Sequence, residues 1–135
     1  MIGVLILSHG AIGETLLASA AQILGAPPAQ TAALGVARGD DPETVLARAR
    51  EMAARLDDGS GLLVLTDMFG ATPCNVASRL LADGRVEGVS GVSLPMLVRV
   101  LSGRNESLPA VVRRALSGGA DGVVHMNSDS CGAKR

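Results

Sequence analysis

Short, continuously apolar runs alternate along the chain with segments in which apolar residues recur at helical spacing. Residues 2–8 (IGVLILS) and 62–66 (LLVLT) are apolar almost throughout, which is typical of strands buried on both faces of a parallel sheet. Residues 31–36 (TAALGV) and 86–92 (VEGVSGV) are weaker candidates, and residues 122–126 (GVVHM) are a candidate final strand. The pattern therefore predicts up to five strands separated by helices.

The helical stripes between these runs begin and end at recognisable residues. Gly25 suits the C-terminal cap of the first helix, whose apolar positions are Leu16, Leu17, Ala20, Ile23 and Leu24. Asp41-Pro42 and Thr72-Pro73 each read as an N-cap followed by a first helical proline. Two further helices are predicted, one from Pro95 to about Leu101 and one from Leu108 to Leu116, ended by Gly118-Gly119.

This alternation predicts an α/β fold with an open, mostly parallel sheet covered by helices on both faces. Right-handed crossovers leave few strand orders, and the flavodoxin-like order 2-1-3-4 places strands 1 and 3 side by side. Folds of this kind bind ligands where the order reverses, at the carboxyl ends of those two strands. We predict one domain over residues 1–127 and a flexible tail over 128–135.

Composition narrows the classes of function. Hydrophobic residues make up 47% and charged residues 19% of the 135 positions, and the net charge of −1 comes with no basic stripe, so we expect no nucleic-acid partner. Phe69 is the single aromatic residue, which argues against base stacking. Cys74 and Cys131 form no disulfide or zinc pattern, which favours a reduced, cytoplasmic setting. The apolar runs are too short for direct membrane insertion.

One of the chain's two histidines follows the first strand, and an aspartate follows the third. If the strand order is right, His9 and Asp67 face each other at the reversal point. A carboxylate beside a histidine accepts a hydrogen bond from one ring nitrogen and leaves the other with a free lone pair. His9 is therefore a candidate nucleophile or general base, and Asp67 the residue that orients it.

The loops around this pair favour a phosphoryl group as the ligand. Helix N-termini predicted near Gly10 and near residues 70–73 expose N–H groups that bind anions. Gly10, Gly70 and Ala71 allow the backbone to approach closely, and Thr72 offers a hydroxyl. Neither loop contains lysine or arginine, a P-loop or a carboxylate cluster, so we expect no cofactor and no metal. The pattern is typical of a phosphohistidine.

Three segments carry a resemblance to a known family: GVLILSHGAIGETLLASAAQILG (3–25), LLVLTDMFGATPCNVASRLL (62–81) and GVSLPMLVRVL (91–101). In this combination the chain resembles the mannose-family enzyme IIA component of the phosphoenolpyruvate-dependent sugar phosphotransferase system. The resemblance implies that His9 accepts phosphate from the carrier HPr and passes it to an enzyme IIB, with Asp67 hydrogen-bonded to the ring. Thr72 stands where the family often has serine or threonine.

The resemblance also implies a homodimer in which a C-terminal strand, here residues 122–126, joins the partner's sheet. The chain shows no Ala/Pro-rich linker to a IIB domain, so we expect IIB on a separate polypeptide, or a solitary regulatory role. A candidate apolar docking surface consists of Met68, Phe69, Pro95 and Met96, although ordinary loop packing is an equal interpretation.

Two other functions stay open at this point. One is the related phosphoryl carrier that feeds dihydroxyacetone kinase. The other is a small histidine phosphatase, although Ser8 stands where such enzymes place an arginine and only His125 remains as a second histidine. A non-catalytic signalling module, whose surface changes when His9 is phosphorylated, stays open beside them. We interpret His125 as structural and Cys74 as a helix-packing residue.

Overall fold

The computed structural model describes residues 1–128, and the tail predicted over 128–135 lies outside the described residues apart from Ser128. Within that part of the chain, strands and helices alternate as the apolar pattern predicts. The strands are β1 (Gly3–His9), β2 (Thr31–Val36), β3 (Leu62–Thr66) and β4 (Val86–Ser90); the helices are α1 (Ile12–Leu24), α2 (Pro42–Leu56), α3 (Thr72–Ser78), α4 (Leu94–Leu101) and α5 (Leu108–Asp121).

The four strands form one parallel sheet in the order β2-β1-β3-β4, which confirms the predicted topology. Alternate residues of β1 pack in the two core layers on opposite faces of the sheet, because successive side chains of a strand point to opposite faces. Val4 and Ile6 pack in the layer of α1, α4 and α5, whereas Leu5 and Leu7 pack in the layer of α2 and α3. Both faces of β1 are therefore covered, as its unbroken apolar sequence indicates.

Several helix ends differ from the prediction. The first residue of α3 is Thr72 itself, and its N-cap is Ala71, so the predicted capping role of Thr72 is wrong. Helix α5 continues through the glycines at 118 and 119 to Asp121. A Cβ on Gly118 would lie 3.2 Å from Met96 Cα and 3.1 Å from Arg99 Cβ. Gly118 is therefore a close-packing residue against α4 and not a helix terminator.

The predicted fifth strand, residues 122–126, is not formed in this chain. After α5 the chain passes through an irregular segment into a turn in which Ser128 N–H donates to His125 O at 3.0 Å. Val123, Val124 and Met126 are 85%, 52% and 66% exposed. A strand needs a neighbouring strand for its backbone hydrogen bonds, and this segment pairs with none in the described part of the chain.

A buried arginine closes the end of the sheet away from the carboxyl ends of the strands. Arg104 is 6% exposed, and its Nη1 donates to the carbonyl of Ala29 at 2.6 Å and to that of Ile2 at 3.3 Å. Burial lowers the pKa of its guanidinium. This residue ties the amino ends of β1 and β2 to the α4–α5 connection.

The longest helix of the described residues, α2, has 15 residues, and none of these helices combines the length and the apolar sequence needed to cross a bilayer.

Candidate functional site

His9 and Asp67 meet at the carboxyl edge of the sheet, as their positions in the sequence predict. His9 is the last residue of β1, and Asp67 directly follows β3, which is the neighbouring strand. The ring Nδ1 of His9 lies 2.8 Å from Asp67 Oδ2, and the His9 backbone N–H donates to the same oxygen at 3.0 Å. One carboxylate oxygen therefore fixes both the backbone and the ring of His9.

Asp67 is mostly buried and His9 is open to solvent, with side-chain exposures of 12% and 50%. Burial, the largest influence, would raise the pKa of Asp67, but the hydrogen bonds from the His9 backbone and ring together hold it below its ordinary value. An ionised carboxylate only accepts hydrogen bonds, so the proton of a neutral His9 ring is on Nδ1. The lone pair is then on Nε2, the nitrogen that Asp67 does not hold.

The turn after His9 is held by groups from β1 and β2. The buried hydroxyl of Ser8 accepts a hydrogen bond from Gly13 N–H at 3.0 Å in the first turn of α1. Gly10 adopts a positive φ of 49°, and its N–H donates to Val36 O at 3.0 Å. A Cβ on Gly35 would collide with the carbonyl oxygen of Gly10, so glycine is required there for β2 to pass this close.

The hydrogen bond of Gly10 corrects one predicted role. Its N–H is already bonded to Val36 and is not free for an anion, so Gly10 shapes the turn instead of donating to phosphate. On the other side of His9, Gly70 has a φ of 84° and leads into α3. Within residues 1–128, the N–H groups of Gly70, Ala71 and Thr72 donate to no protein acceptor. These three remain candidate anion donors.

A cavity of about 430 Å³ contains His9 and is wider than the sequence predicts. Thr72 lines it from α3, as predicted, and residues 36–40 with Pro42 form the remaining wall. That wall contains a cation, Arg38, which our reading of the sequence missed. The signal was present, because in the order 2-1-3-4 the loop after strand 2 also emerges beside the end of strand 1.

Comparison with known families decides where this arrangement belongs. The family model EIIA-man, described as "PTS system fructose IIA component", matches residues 3–116. The chain belongs to the EIIA-man family of the phosphotransferase system. Components of this family carry phosphoryl groups, which agrees with a histidine whose ring is held by one nitrogen and accessible at the other.

Relatives of this IIA chain include components named for different sugars. It is 34% identical over 125 residues to the "PTS system mannose-specific EIIAB component" of Escherichia coli K12, an alignment that covers 90% of this chain and 38% of that protein. It is 32% identical over 103 residues to the "PTS system fructose-specific EIIA component" of Bacillus subtilis 168, covering 76% and 70%. The IIA chain therefore spans less than half the length of the E. coli relative.

Solved structures of similar sequence share the fold. A phosphotransferase system component EIIA from Streptococcus agalactiae aligns with a TM-score of 0.85 at 26% identity, covering 96% of this chain and all (100%) of that one. A mannose/sorbose-specific IIA subunit from Enterococcus faecalis aligns with a TM-score of 0.81 at 25% identity, covering 91% and 92%. The α/β sheet of order 2-1-3-4 is thus the fold that IIA proteins of this kind adopt.

The four residues of the candidate docking surface differ in exposure. Met68 and Phe69 are 60% and 82% exposed beside the His9 loop, and Pro95 is exposed at the start of α4. Met96 is 3% exposed and packs in the core layer of α1, α4 and α5. Met96 therefore cannot contact a partner, and the surface is reduced to the other three residues.

Cys74 and His125, the other side chains with possible reactivity, lie outside the cavity of His9. Cys74 is half-buried and lines a separate apolar cavity of about 190 Å³ with Phe69 and Leu81. His125 lies in the segment after α5 and does not line the cavity of His9. Residues 1–128 contain no group of three or more histidine, cysteine, aspartate or glutamate side chains that could hold a metal ion.

Proposed function

We propose that this chain is a phosphohistidine carrier that accepts a phosphoryl group from HPr on Nε2 of His9 and passes it to an enzyme IIB. The observation that carries the proposal is the pair of hydrogen bonds from His9 to Asp67 Oδ2, at 2.8 and 3.0 Å. They hold the ring in one orientation and one tautomer, with the nucleophilic nitrogen directed away from the carboxylate.

The transfer exchanges one N–P bond for another. The lone pair of His9 Nε2 attacks phosphorus, and the N–P bond of the donor histidine breaks, returning its electron pair to the donor ring. The positive charge of the N-phosphorylated ring moves with the phosphoryl group, from the donor imidazole to that of His9. Asp67 accepts the Nδ1–H hydrogen bond throughout, and its negative charge stabilises the cationic ring. Transfer to IIB is the same step in reverse.

The loop before α3 supplies groups for the phosphoryl oxygens. We assign the N–H groups of Gly70, Ala71 and Thr72, together with the Thr72 hydroxyl, to this role. They adjoin the start of a helix, where the peptide dipoles favour negative charge, and Thr72 shares the cavity of His9. Catalysis by such a site consists of positioning and electrostatic stabilisation.

Met68, Phe69 and Pro95 are proposed to contact HPr and IIB. They are exposed apolar residues near a site that must be covered briefly by two different partners in turn, and interfaces of that kind use an apolar centre. Because HPr is a cytoplasmic donor in the family to which the resemblance points, we place the function in the cytoplasm.

A homodimer is part of the same proposal. The exposed residues Val123, Val124 and Met126 form an apolar strand-like sequence. Strand β4 is an edge strand of the sheet, and within the described residues its outer side is paired only at the bridge between Val86 and Ala82. Exchange of residues 122–126 between two copies would cover both features. Sedimentation equilibrium of wild type and Val123→Lys tests this, because a wild-type monomer at micromolar concentration contradicts it.

The sugar-transport branch is favoured over the alternatives. The named relatives are mannose- and fructose-specific components of the phosphotransferase system, not components of a kinase. A histidine phosphatase needs a second catalytic histidine, and His125 does not line the cavity. Whether this chain serves uptake or regulation depends on its acceptor.

Incubation with phosphoenolpyruvate, enzyme I and HPr, followed by intact-mass measurement, tests the carrier role. Wild type should gain one acid-labile phosphoryl group, His9→Ala should gain none, and His125→Ala, the matched control, should behave as wild type. A folded wild type that gains no phosphate from the HPr of its own organism would exclude the proposal, as would undiminished labelling of His9→Ala.

A further inference from the structure

The cavity of His9 contains one cation that the proposed transfer does not yet use. Arg38 lines it opposite Thr72, on the loop between β2 and α2. Four other arginines of the described residues form ion pairs with carboxylates, and Arg104 is buried against carbonyls. Arg38 makes no hydrogen bond or ion pair within residues 1–128, and its side chain is exposed. Within the described residues, its guanidinium therefore has no carboxylate partner that a ligand would need to displace.

The backbone beneath Arg38 is fixed by a tight turn. Ala37 N–H donates to Asp40 Oδ2 at 2.7 Å, and Asp40 N–H donates back to Ala37 O at 3.1 Å. Gly39 supplies the positive φ of 90° that the third position of such a turn requires. The turn places Arg38 at its tip and engages one oxygen of Asp40, a carboxylate that lines the same cavity. Arg38 is thus presented to the cavity from an ordered backbone.

We propose that Arg38 binds the phosphoryl group on His9 and shifts the transfer equilibrium toward the loaded state of this chain. The inference rests on the proposed carrier function. It adds to that function a residue that stabilises the phosphorylated protein relative to the unphosphorylated protein. Phosphorylation brings about two negative charges into the cavity, and the planar guanidinium fork matches phosphoryl oxygens. The backbone donors of the α3 loop carry only partial charges, and Arg38 is the one lysine or arginine among the residues that line the cavity.

The equilibrium between HPr and this chain measures the effect. Purified phospho-HPr is mixed with wild type, Arg38→Gln, Arg38→Lys or Arg113→Gln, and both phosphoproteins are quantified by intact mass. Arg113 is an exposed arginine of α5 outside the cavity and is the matched control. We expect Arg38→Gln to lower the equilibrium constant for loading about fivefold, with Arg38→Lys in between and Arg113→Gln unchanged. Salt of about 0.5 M should shrink the difference, since the pair is exposed.

A second measurement separates this inference from the carrier proposal. Phosphoramidate phosphorylates histidine chemically without HPr, and the half-life of the resulting phospho-His9 is then followed. Arg38→Gln should change that half-life about fivefold relative to wild type and Arg113→Gln, because the charge that contacts the phosphoryl group is gone. If loading and half-life are equal in all variants, the role of Arg38 is overturned, and the carrier proposal is not affected. Failure of HPr to load even wild type removes the carrier proposal, and the half-lives still decide whether Arg38 contacts the phosphoryl group.

Discussion

Replacing Asp67 by asparagine removes the charge beneath His9 and keeps the shape of the side chain. The carboxylate oxygen at 2.8 Å from Nδ1 makes a charge-assisted hydrogen bond, which contributes about 1.5–3 kcal/mol and is roughly twice as strong as its neutral equivalent. Asparagine can retain the neutral half. The loss of transition-state stabilisation is therefore about 1–1.5 kcal/mol, which corresponds to a roughly tenfold slower transfer. Asp67→Ala, which removes both hydrogen bonds, should slow transfer by about a hundredfold or more.

Rapid-quench transfer from phospho-HPr, under conditions in which chemistry limits the rate, measures these effects. Thermal unfolding of each variant serves as the control, because Asp67 also bonds the His9 backbone at 3.0 Å. The affinity for unphosphorylated HPr should be nearly unchanged, since Asp67 is mostly buried. A folded Asp67→Asn protein that accepts phosphate at the wild-type rate would refute the argument that the carboxylate stabilises the phosphorylated ring.

Three further predictions concern stability. Gly35→Ala should lower the free energy of unfolding by about 2–3 kcal/mol in urea titrations, because its Cβ collides with the Gly10 carbonyl; a change below about 0.5 kcal/mol would contradict the close approach. Arg104→Met should cost about 2–4 kcal/mol by leaving buried carbonyls without a donor, and should leave the rate of His9 phosphorylation within about twofold, since Arg104 lies at the opposite end of the sheet. The lowered pKa of Asp67 means that its ionised form stabilises the fold fully above about pH 4 and loses this effect as the pH falls through the lowered pKa. The stability difference between wild type and Asp67→Asn should therefore narrow below about pH 4, and a difference that stays constant down to about pH 2 would be inconsistent with that shift.

The topology could be predicted because each part of it has a local signal. The runs at 2–8 and 62–66 are apolar on both faces, and only a covered parallel sheet accommodates two such strands. Once β1 and β3 are neighbours, the residues that follow them must meet, and the contact between His9 and Asp67 confirms it. The proximity of this pair thus follows from the strand order of the sheet.

The errors arose where a residue's partner is distant in sequence. Glycine at 118 resembles a helix terminator locally, and only the packing of α4 against it gives it another purpose. Met96 follows an exposed proline, yet it lies on the buried face of α4 and packs in the core. The strand predicted at 122–126 has the right composition but no neighbouring strand among residues 1–128. Arg38 lies on the loop after β2, which is not part of the crevice predicted between strands 1 and 3.

The double grip of one Asp67 oxygen on His9 has a consequence for energy conservation. A phosphoryl carrier must pass on the phosphoryl group with nearly the same transfer potential with which it accepted the group. A rearrangement of the His9 ring on phosphorylation would release part of the phosphoryl-transfer potential as heat. Transfer in one of the two directions would then be slower. In the carrier that we propose, the backbone and the ring of His9 are bonded to the same oxygen before phosphorylation, so the loaded state would have little relaxation available to it. The clamp therefore favours a nearly reversible relay, in which the direction of flow is set by the concentrations of the neighbouring proteins.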